Sequence, residues 1–184
     1  MRTRTKTVLG VLALLAAGAA IGVPTVDYAD RYFSTNEFCA TSCHVMEATV
    51  YKEFQESVHG TTATGVRPTC ADCHVSPTLP AAMWDHFLGM RDLYVFLVEG
   101  VRTPEQFEGI RARAADRARF ALLENDGATC RSCHVMEAIV PARQRGQKQH
   151  REALEKGITC IACHYNLVHA EVEPSEEFLS AAEK

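Results

Sequence analysis

The sequence predicts a mainly α-helical chain with extensive loops: one N-terminal membrane-spanning helix, then a domain of two tandem modules. Three observations predict it. An uncharged, mostly apolar run of 19 residues lies near the N-terminus, a cysteine pair closed by a histidine occurs four times, and one short block recurs 90 residues downstream.

The apolar run spans residues 8–26 and is preceded by Arg2, Arg4 and Lys6. At ~1.5 Å rise per residue it reaches ~28 Å, about one hydrocarbon thickness. The basic flank keeps this end cytoplasmic and sends the rest across. Ala16, Ala17, Gly18, Ala19 and Ala20 offer the competing reading, a cleaved signal peptide. Because the run stays apolar through Ile21, Val23 and Val26, a retained anchor over residues 1–28 is expected. The protein then crosses the inner (cytoplasmic) membrane once and places residues 29–170 in the periplasm.

The cysteine–histidine motifs are Cys39 and Cys43 with His44, Cys70 and Cys73 with His74, Cys130 and Cys133 with His134, and Cys160 and Cys163 with His164. They use all eight cysteines. Two thiols on one turn followed by an imidazole suit covalent attachment of a c-type haem: the thiols add to the vinyl groups and the imidazole reaches the iron. Zinc sites and disulfides also pair cysteines. Neither requires a histidine after every second cysteine. Four c-type haems are therefore expected in 184 residues, about 46 residues each, so that the haems form much of the core. The first motif has one extra residue, Cys39-Ala40-Thr41-Ser42-Cys43. On a continuous helix its cysteines still share a face, with the ring shifted.

The block Cys43-His44-Val45-Met46-Glu47-Ala48 recurs as Cys133-His134-Val135-Met136-Glu137-Ala138. Each copy is followed by a further motif 30 residues on, from Cys43 to Cys73 and from Cys133 to Cys163. This divides the domain into di-haem modules at about 36–80 and 127–170, a closely spaced series suited to electron conduction. Met46 and Met136 lie about 200° from their motif histidines on a helix, so both cannot serve one iron from the same side. Met136 reads as core, whereas Met46, beside the irregular motif, stays an iron-ligand candidate.

Residues 81–125 join the modules. Pro77 and Pro80 lead into a strongly apolar helix over 81–98, with Trp84, Phe87, Leu88, Leu93, Tyr94, Phe96 and Leu97. It is expected to pack on haem faces or lie near the membrane. A second helix begins with Thr103 as N-cap, Pro104 at its first position and Gln106 closing a capping box. It is expected to run to about Asn125, with Gly127 beyond. Its Arg111, Arg113, Arg117 and Arg119 read as a solvated face, or alternatively as partners for haem propionates or an acidic surface. Residues 171–184, with Glu171, Glu173, Glu176 and Glu177, read as a loose polar tail. The net charge of −4 supplies no basic excess of the kind nucleic-acid binding requires.

Beyond the four motif histidines there are four more, His59, His86, His150 and His169, one per haem. His59, His150 and His169 are expected as distal axial ligands, imidazole being a common second ligand of low-spin haem. His86 is a further axial candidate.

These features resemble the NapC/NirT/NrfH family of tetrahaem quinol dehydrogenases. The resemblance rests on the anchor, the four motifs, Ser57-Val58-His59-Gly60, Gly65-Val66-Arg67, Thr103-Pro104-Glu105-Gln106-Phe107, Asn125-Asp126, and Gly157 through His169. It implies a fold of short helices and loops around two haem pairs, with His59, His150 and His169 as distal ligands. It also implies quinol oxidation and electron delivery to a periplasmic terminal reductase of nitrite or nitrate reductase type in anaerobic respiration, with room for an oligomer with that partner. Met46 matches a methionine that in some members replaces the motif histidine at the first haem. The family's lysine after the second motif, and the acidic residue or histidine beyond it, are replaced here by Pro77 and Ala81.

Quinol oxidation releases two electrons and two protons, whereas one iron accepts one electron. The first haem must then lie at the membrane beside a proton acceptor, and ~20 Å of helix between residues 26 and 39 would keep it there. Asp85 and His86, one turn beyond Ala81, are the candidate acceptors, with Met46 the third quinol-site candidate; residues 27–38 are the fallback. Two other functions compete: a self-contained reductase of a small nitrogen compound, and an electron carrier without quinol activity. Substrate turnover by the isolated protein discriminates the first, and the mass of the mature protein the second.

The intact mass after acid–acetone extraction is expected to exceed that of the polypeptide by four haems. A gain of three would mean that the site of Cys39 and Cys43 is unattached.

Overall fold

Alanine and leucine, strong helix formers, dominate the N-terminal run. It forms α1 (Arg2–Phe33), 32 residues and ~48 Å long. The computed structural model describes residues 2–183, with side chains from residue 4. The Arg2 side chain of the basic flank and Lys184 of the tail lie outside the described residues. Val8, Leu12, Leu15, Ile21 and Val23 are all exposed along α1, which is long and apolar enough to cross a membrane. The helix continues past residue 28, braced by Arg31 Nε donating to Asp27 Oδ2 at 2.9 Å.

Ser34 and Thr35 then turn the chain. Thr35 Oγ1 accepts from the Phe38 N–H at 3.1 Å and opens α2 (Asn36–Thr41). The straight helical path to Cys39 is thereby replaced by a fold-back that leaves the Cys39 sulfur 3.3 Å from the Phe33 carbonyl oxygen. The expected shared face of Cys39 and Cys43 is also corrected. Cys43 is extended at φ −123°, ψ 114°, and α3 (His44–Met46) starts afresh, running through a π turn (Glu47–Tyr51) into α4 (Lys52–Glu56). Breaking the helix at the extra residue lets Val45 enter a small core with Val101 and Phe107.

The second motif is a helix, α5 (Cys70–His74), opened by a reciprocal Thr69–Asp72 capping box. The Cys70 N–H donates to Asn36 Oδ1 at 2.8 Å, which ties α5 to α2. The apolar helix expected over 81–98 is α6 (Leu79–Tyr94) with a π turn (Val95–Glu99), stopped by Gly100 at φ 75°. It packs against α1. The expected single helix from Thr103 to about Asn125 is two: α7 (Pro104–Glu108) and α8 (Arg111–Glu124). The break falls at Gly109, the poorest helix former apart from proline, where the Ile110 N–H turns back to the Phe107 carbonyl at 2.9 Å.

The second module contains α9 (Ala128–Arg131), a 3-10 turn (Met136–Ala138), α10 (Gln144–Lys156) and a 3-10 turn (Cys160–Ala162). No strand occurs among the described residues. The duplicated block does not repeat its shape. After His134, Val135 is extended at φ −89°, ψ 107°, so Met136 leaves its turn and its sulfur meets Cys160 Sγ at 3.9 Å.

The largest departure is the tail. Rather than lying loose, it forms α11 (Glu176–Ala182), capped by Ser175, with Phe178 fully buried against Phe120 and Tyr165. Acidity decides its outer face and one aromatic residue decides its docking. Of the four arginines, Arg113 and Arg117 stay on the solvated face expected, whereas Arg111 and Arg119 turn inward. Arg119 is buried, donating to Asp116 at 2.7 Å, Asn166 Oδ1 at 2.8 Å and the Val172 carbonyl at 2.6 Å, beneath the docked tail. Arg111, Arg113 and Arg117 pair with Glu53, Glu99 and Asp92 of this same chain.

Phe178→Ala is expected to cost about 3–5 kcal/mol in denaturant unfolding. Glu177→Ala, on the outer face of α11, should stay within about 0.5 kcal/mol.

Candidate functional site

Each regular motif is a single turn that aims its histidine. In the third and fourth motifs the His134 N–H donates to the Cys130 carbonyl and the His164 N–H to that of Cys160, both at 2.9 Å. The motifs adjoin in sequence order: α2 packs on α5 and α5 on α9, while Cys130 lies beside Cys160.

The two thiols of a motif do not share one environment. Cys133 and Cys163 are exposed, whereas the other six cysteines are partly buried. Only the second motif keeps both cysteines inside one helix. Cys133 lies two residues past the end of α9, and Cys163 follows the last residue of its 3-10 turn, at φ −116°, ψ −30°. The N–H of each still donates to the carbonyl of the first cysteine, Cys133 to Cys130 and Cys163 to Cys160, both at 3.2 Å. This bond closes the turn while the departing chain carries the second sulfur outward, open to a ring approaching from solvent.

All eight cysteines are free thiols in this structure. Burial, followed by the neighbouring Cys130 and Asp72, pushes the Cys73 thiol up to about 11. Burial raises Cys39, Cys70 and Cys130 as well. Protonated thiols are poor metal ligands, and it is imidazoles that converge in pairs.

His59 faces His134 with ring centroids 6.1 Å apart, His169 faces His74 at 6.2 Å, and His150 faces His164 at 6.1 Å. A metal–nitrogen distance of about 2.0 Å plus about 1.1 Å from nitrogen to ring centre puts two imidazoles on one metal ~6.2 Å apart. All three pairs therefore fit an iron between them. Desolvation by neighbouring protein atoms, then the facing ring, holds His74 and His164 below the ordinary histidine range, and desolvation does the same for His169. A neutral imidazole is the form that ligates.

Each of the three histidines expected as distal ligands has a local reason for its place. His59 sits in the turn after α4, where Ser57 Oγ donates to the Phe54 carbonyl at 2.7 Å and accepts the Gly60 N–H at 3.1 Å. Residue 60 must be glycine, since a Cβ there would run into the Phe54 carbonyl. His150 is carried by α10, stopped by Gly157 at φ 66°. His169 lies just before Ala170, whose N–H donates to Glu53 at 3.1 Å. The expected modules interlock: His59 of the first faces a motif histidine of the second, and His169 of the second faces one of the first.

The first motif differs. His44 is exposed like the other three motif histidines, but among the described residues it faces no second histidine ring, while Met46 is half-buried against the Val45 cluster. His86 is instead held at the foot of α1, its Nδ1 3.2 Å from Asp30 Oδ1 and its ring 6.2 Å from that of Phe33. His86 Nε2 is buried without a protein partner. Asp85 Oδ2 accepts the Ser76 N–H at 2.7 Å, which ties α6 to the loop after the second motif. Asp30 was legible only as one acidic residue in the fallback stretch 27–38, and its pairing with His86 spans 56 residues of chain.

Residues 1–174 match the NapC/NirT cytochrome c family, N-terminal region. The chain belongs to this family. It is 38% identical over 174 residues to the cytochrome c-type protein TorC of Escherichia coli K12, covering 91% of this chain and 44% of that protein. A putative tetraheme cytochrome-c type protein of Allochromatium vinosum is 36% identical over 168 residues, 90% of each chain. The cytochrome c-type protein NapC of Escherichia coli K12 is 34% identical over 181 residues, 94% of this chain and 90% of that protein. The chain thus spans less than half of TorC but nearly all of NapC. No solved structure matches it. Membership makes this chain a cytochrome c, and its long apolar helix suits a single membrane pass.

Replacing His59, His150 or His169 by methionine is expected to convert one low-spin signal each in near-infrared and EPR spectra. The pairing adds a sharper expectation, that His59→Met and His134→Met perturb the same signal. Different signals would refute the pair.

Proposed function

We propose that this chain holds four haems, oxidises quinol at the outer face of the inner membrane, and relays the electrons to a periplasmic terminal reductase of nitrite or nitrate reductase type. The observation that carries the reading is the serial arrangement of the motifs from the foot of α1. The irregular first motif is folded against Phe33, the second adjoins it, and the third and fourth follow. Three imidazole pairs would each hold a haem with both imidazoles engaged, which suits relaying electrons and disfavours a self-contained reductase. The basic flank of α1 supports a cytoplasmic N-terminus.

When bound, haem supplies the one-electron chemistry, and the chain handles the protons. His86 Nδ1 lies 3.2 Å from Asp30 Oδ1, at ion-pair distance but outside hydrogen-bond geometry, so the carboxylate can steady the imidazolium formed when the buried, unpartnered Nε2 takes a proton. His86 thus takes a hydroxyl proton from quinol at the foot of α1, with Asp30 behind it. Asp85, engaged by the Ser76 N–H, positions α6. Met46, on the buried side of α3, is the methionine available to the first haem.

His86→Ala and Asp30→Asn are each expected to slow quinol oxidation about 10²-fold with the haem spin states unchanged. A spin-state change in His86→Ala would instead make His86 an iron ligand. Normal turnover in both variants and in Asp85→Asn would overturn the quinol site.

A further inference from the structure

Nδ1 of all three distal histidines is buried, but among the described residues only that of His169 has a carboxylate within 4 Å, Glu53 Oε2 at 3.6 Å. The carboxylate is built into place. Arg111 donates to Glu53 Oε1 at 2.7 Å and to Oε2 at 3.2 Å, and the Ala170 N–H donates to Oε2 at 3.1 Å. Arg111 stacks over Phe107 at 4.9 Å and also donates to both oxygens of Glu108, at 2.6 and 2.7 Å. Segments 58 and 117 residues distant thus meet at one carboxylate.

The charges do not cancel. Two carboxylates and one guanidinium leave the cluster at −1. Arg111 forks onto both Glu53 oxygens and the Ala170 N–H donates to one of them, an arrangement of donors that suits the ionised carboxylate. At 3.6 Å Glu53 and His169 Nδ1 do not hydrogen-bond, so the carboxylate acts through its charge. That negative charge favours the oxidised iron, which carries one more positive charge than the reduced.

We propose that Glu53, clamped by Arg111 and Ala170 against His169, gives the haem between His74 and His169 the lowest reduction potential of the three bis-histidine haems. Glu53 acts through its charge, and the proposal rests on the reading that His74 and His169 ligate one iron. Since α5 adjoins α2, this haem stands next after the entry haem, and Glu53 sets an uphill step between quinol and the exit. The step regulates flow out of the first haem.

The test is a redox titration of the full chain in nanodiscs, followed by visible and EPR spectra, for wild type, E53Q, E53D and H169M. E53Q, nearly isosteric but neutral, is expected to raise one potential and leave the other three. E53D, which keeps the charge and withdraws it by one methylene, should raise the same potential by less, and carries the test if E53Q does not retain its haems. Unchanged potentials in E53Q, or a larger shift in E53D than in E53Q, would overturn the proposal, the latter because shape rather than charge would then matter. An H169M protein with every low-spin signal intact would overturn the ligation reading instead, separately from the role of Glu53.

Discussion

The interaction on which the rest of this structure depends is the opposition of paired imidazoles across the chain. A pair spaced to bind one metal tolerates little error, because a ligand bond lengthened by a few tenths of an ångström is lost. Two of the three pairs join residues from different halves of the sequence, His59 with His134 and His74 with His169. The short helices have few side chains to pack on, and the buried apolar clusters around Val45 and Phe178 are small. Interlocked pairs make the two halves one body.

Ion pairs inside the protein supply the second constraint. Arg119 is buried under the returning tail and Arg111 is nearly so, and each satisfies its guanidinium with carboxylates or carbonyls from distant segments. A buried guanidinium left unpaired is costly, so each arginine demands that its partners arrive together. Arg119 thereby fixes α11 on α8, and Arg111 ties α8 to Glu53 of α4, which in turn holds the Ala170 N–H next to His169. The same charges that hold the segments in register set the electrostatic surroundings of the proposed ligands.

At the foot of α1, membrane anchor and first motif meet without an intervening linker. The turn at Ser34 and Thr35 folds Cys39 back on Phe33, and α6 lays His86 against Asp30. This compactness suits a site where a membrane-soluble reductant meets the first haem, and it shows why the extra residue in the first motif is tolerated. The helix simply breaks there, and its two halves pack separately.

The sequence by itself determined what depends on short-range chemistry. Four cysteine–histidine motifs, a 19-residue apolar run and the Thr103–Gln106 capping box each act within a few residues, so the cytochrome c family, the long apolar helix and the start of α7 were legible directly. The stop of α10 at Gly157 carried a local signal too, though its start at Gln144 did not. Tertiary structure alone decided which distal histidine faces which motif, that Cys133 and Cys163 stand outside while Cys73 is covered, that the two copies of Cys-His-Val-Met-Glu-Ala take different shapes, that Arg111 and Arg119 turn inward, and that Phe178 docks an acidic tail. Each of these is settled by burial or by a partner tens of residues away. A local pattern of charge or repetition names the residue types but not the neighbours that satisfy them.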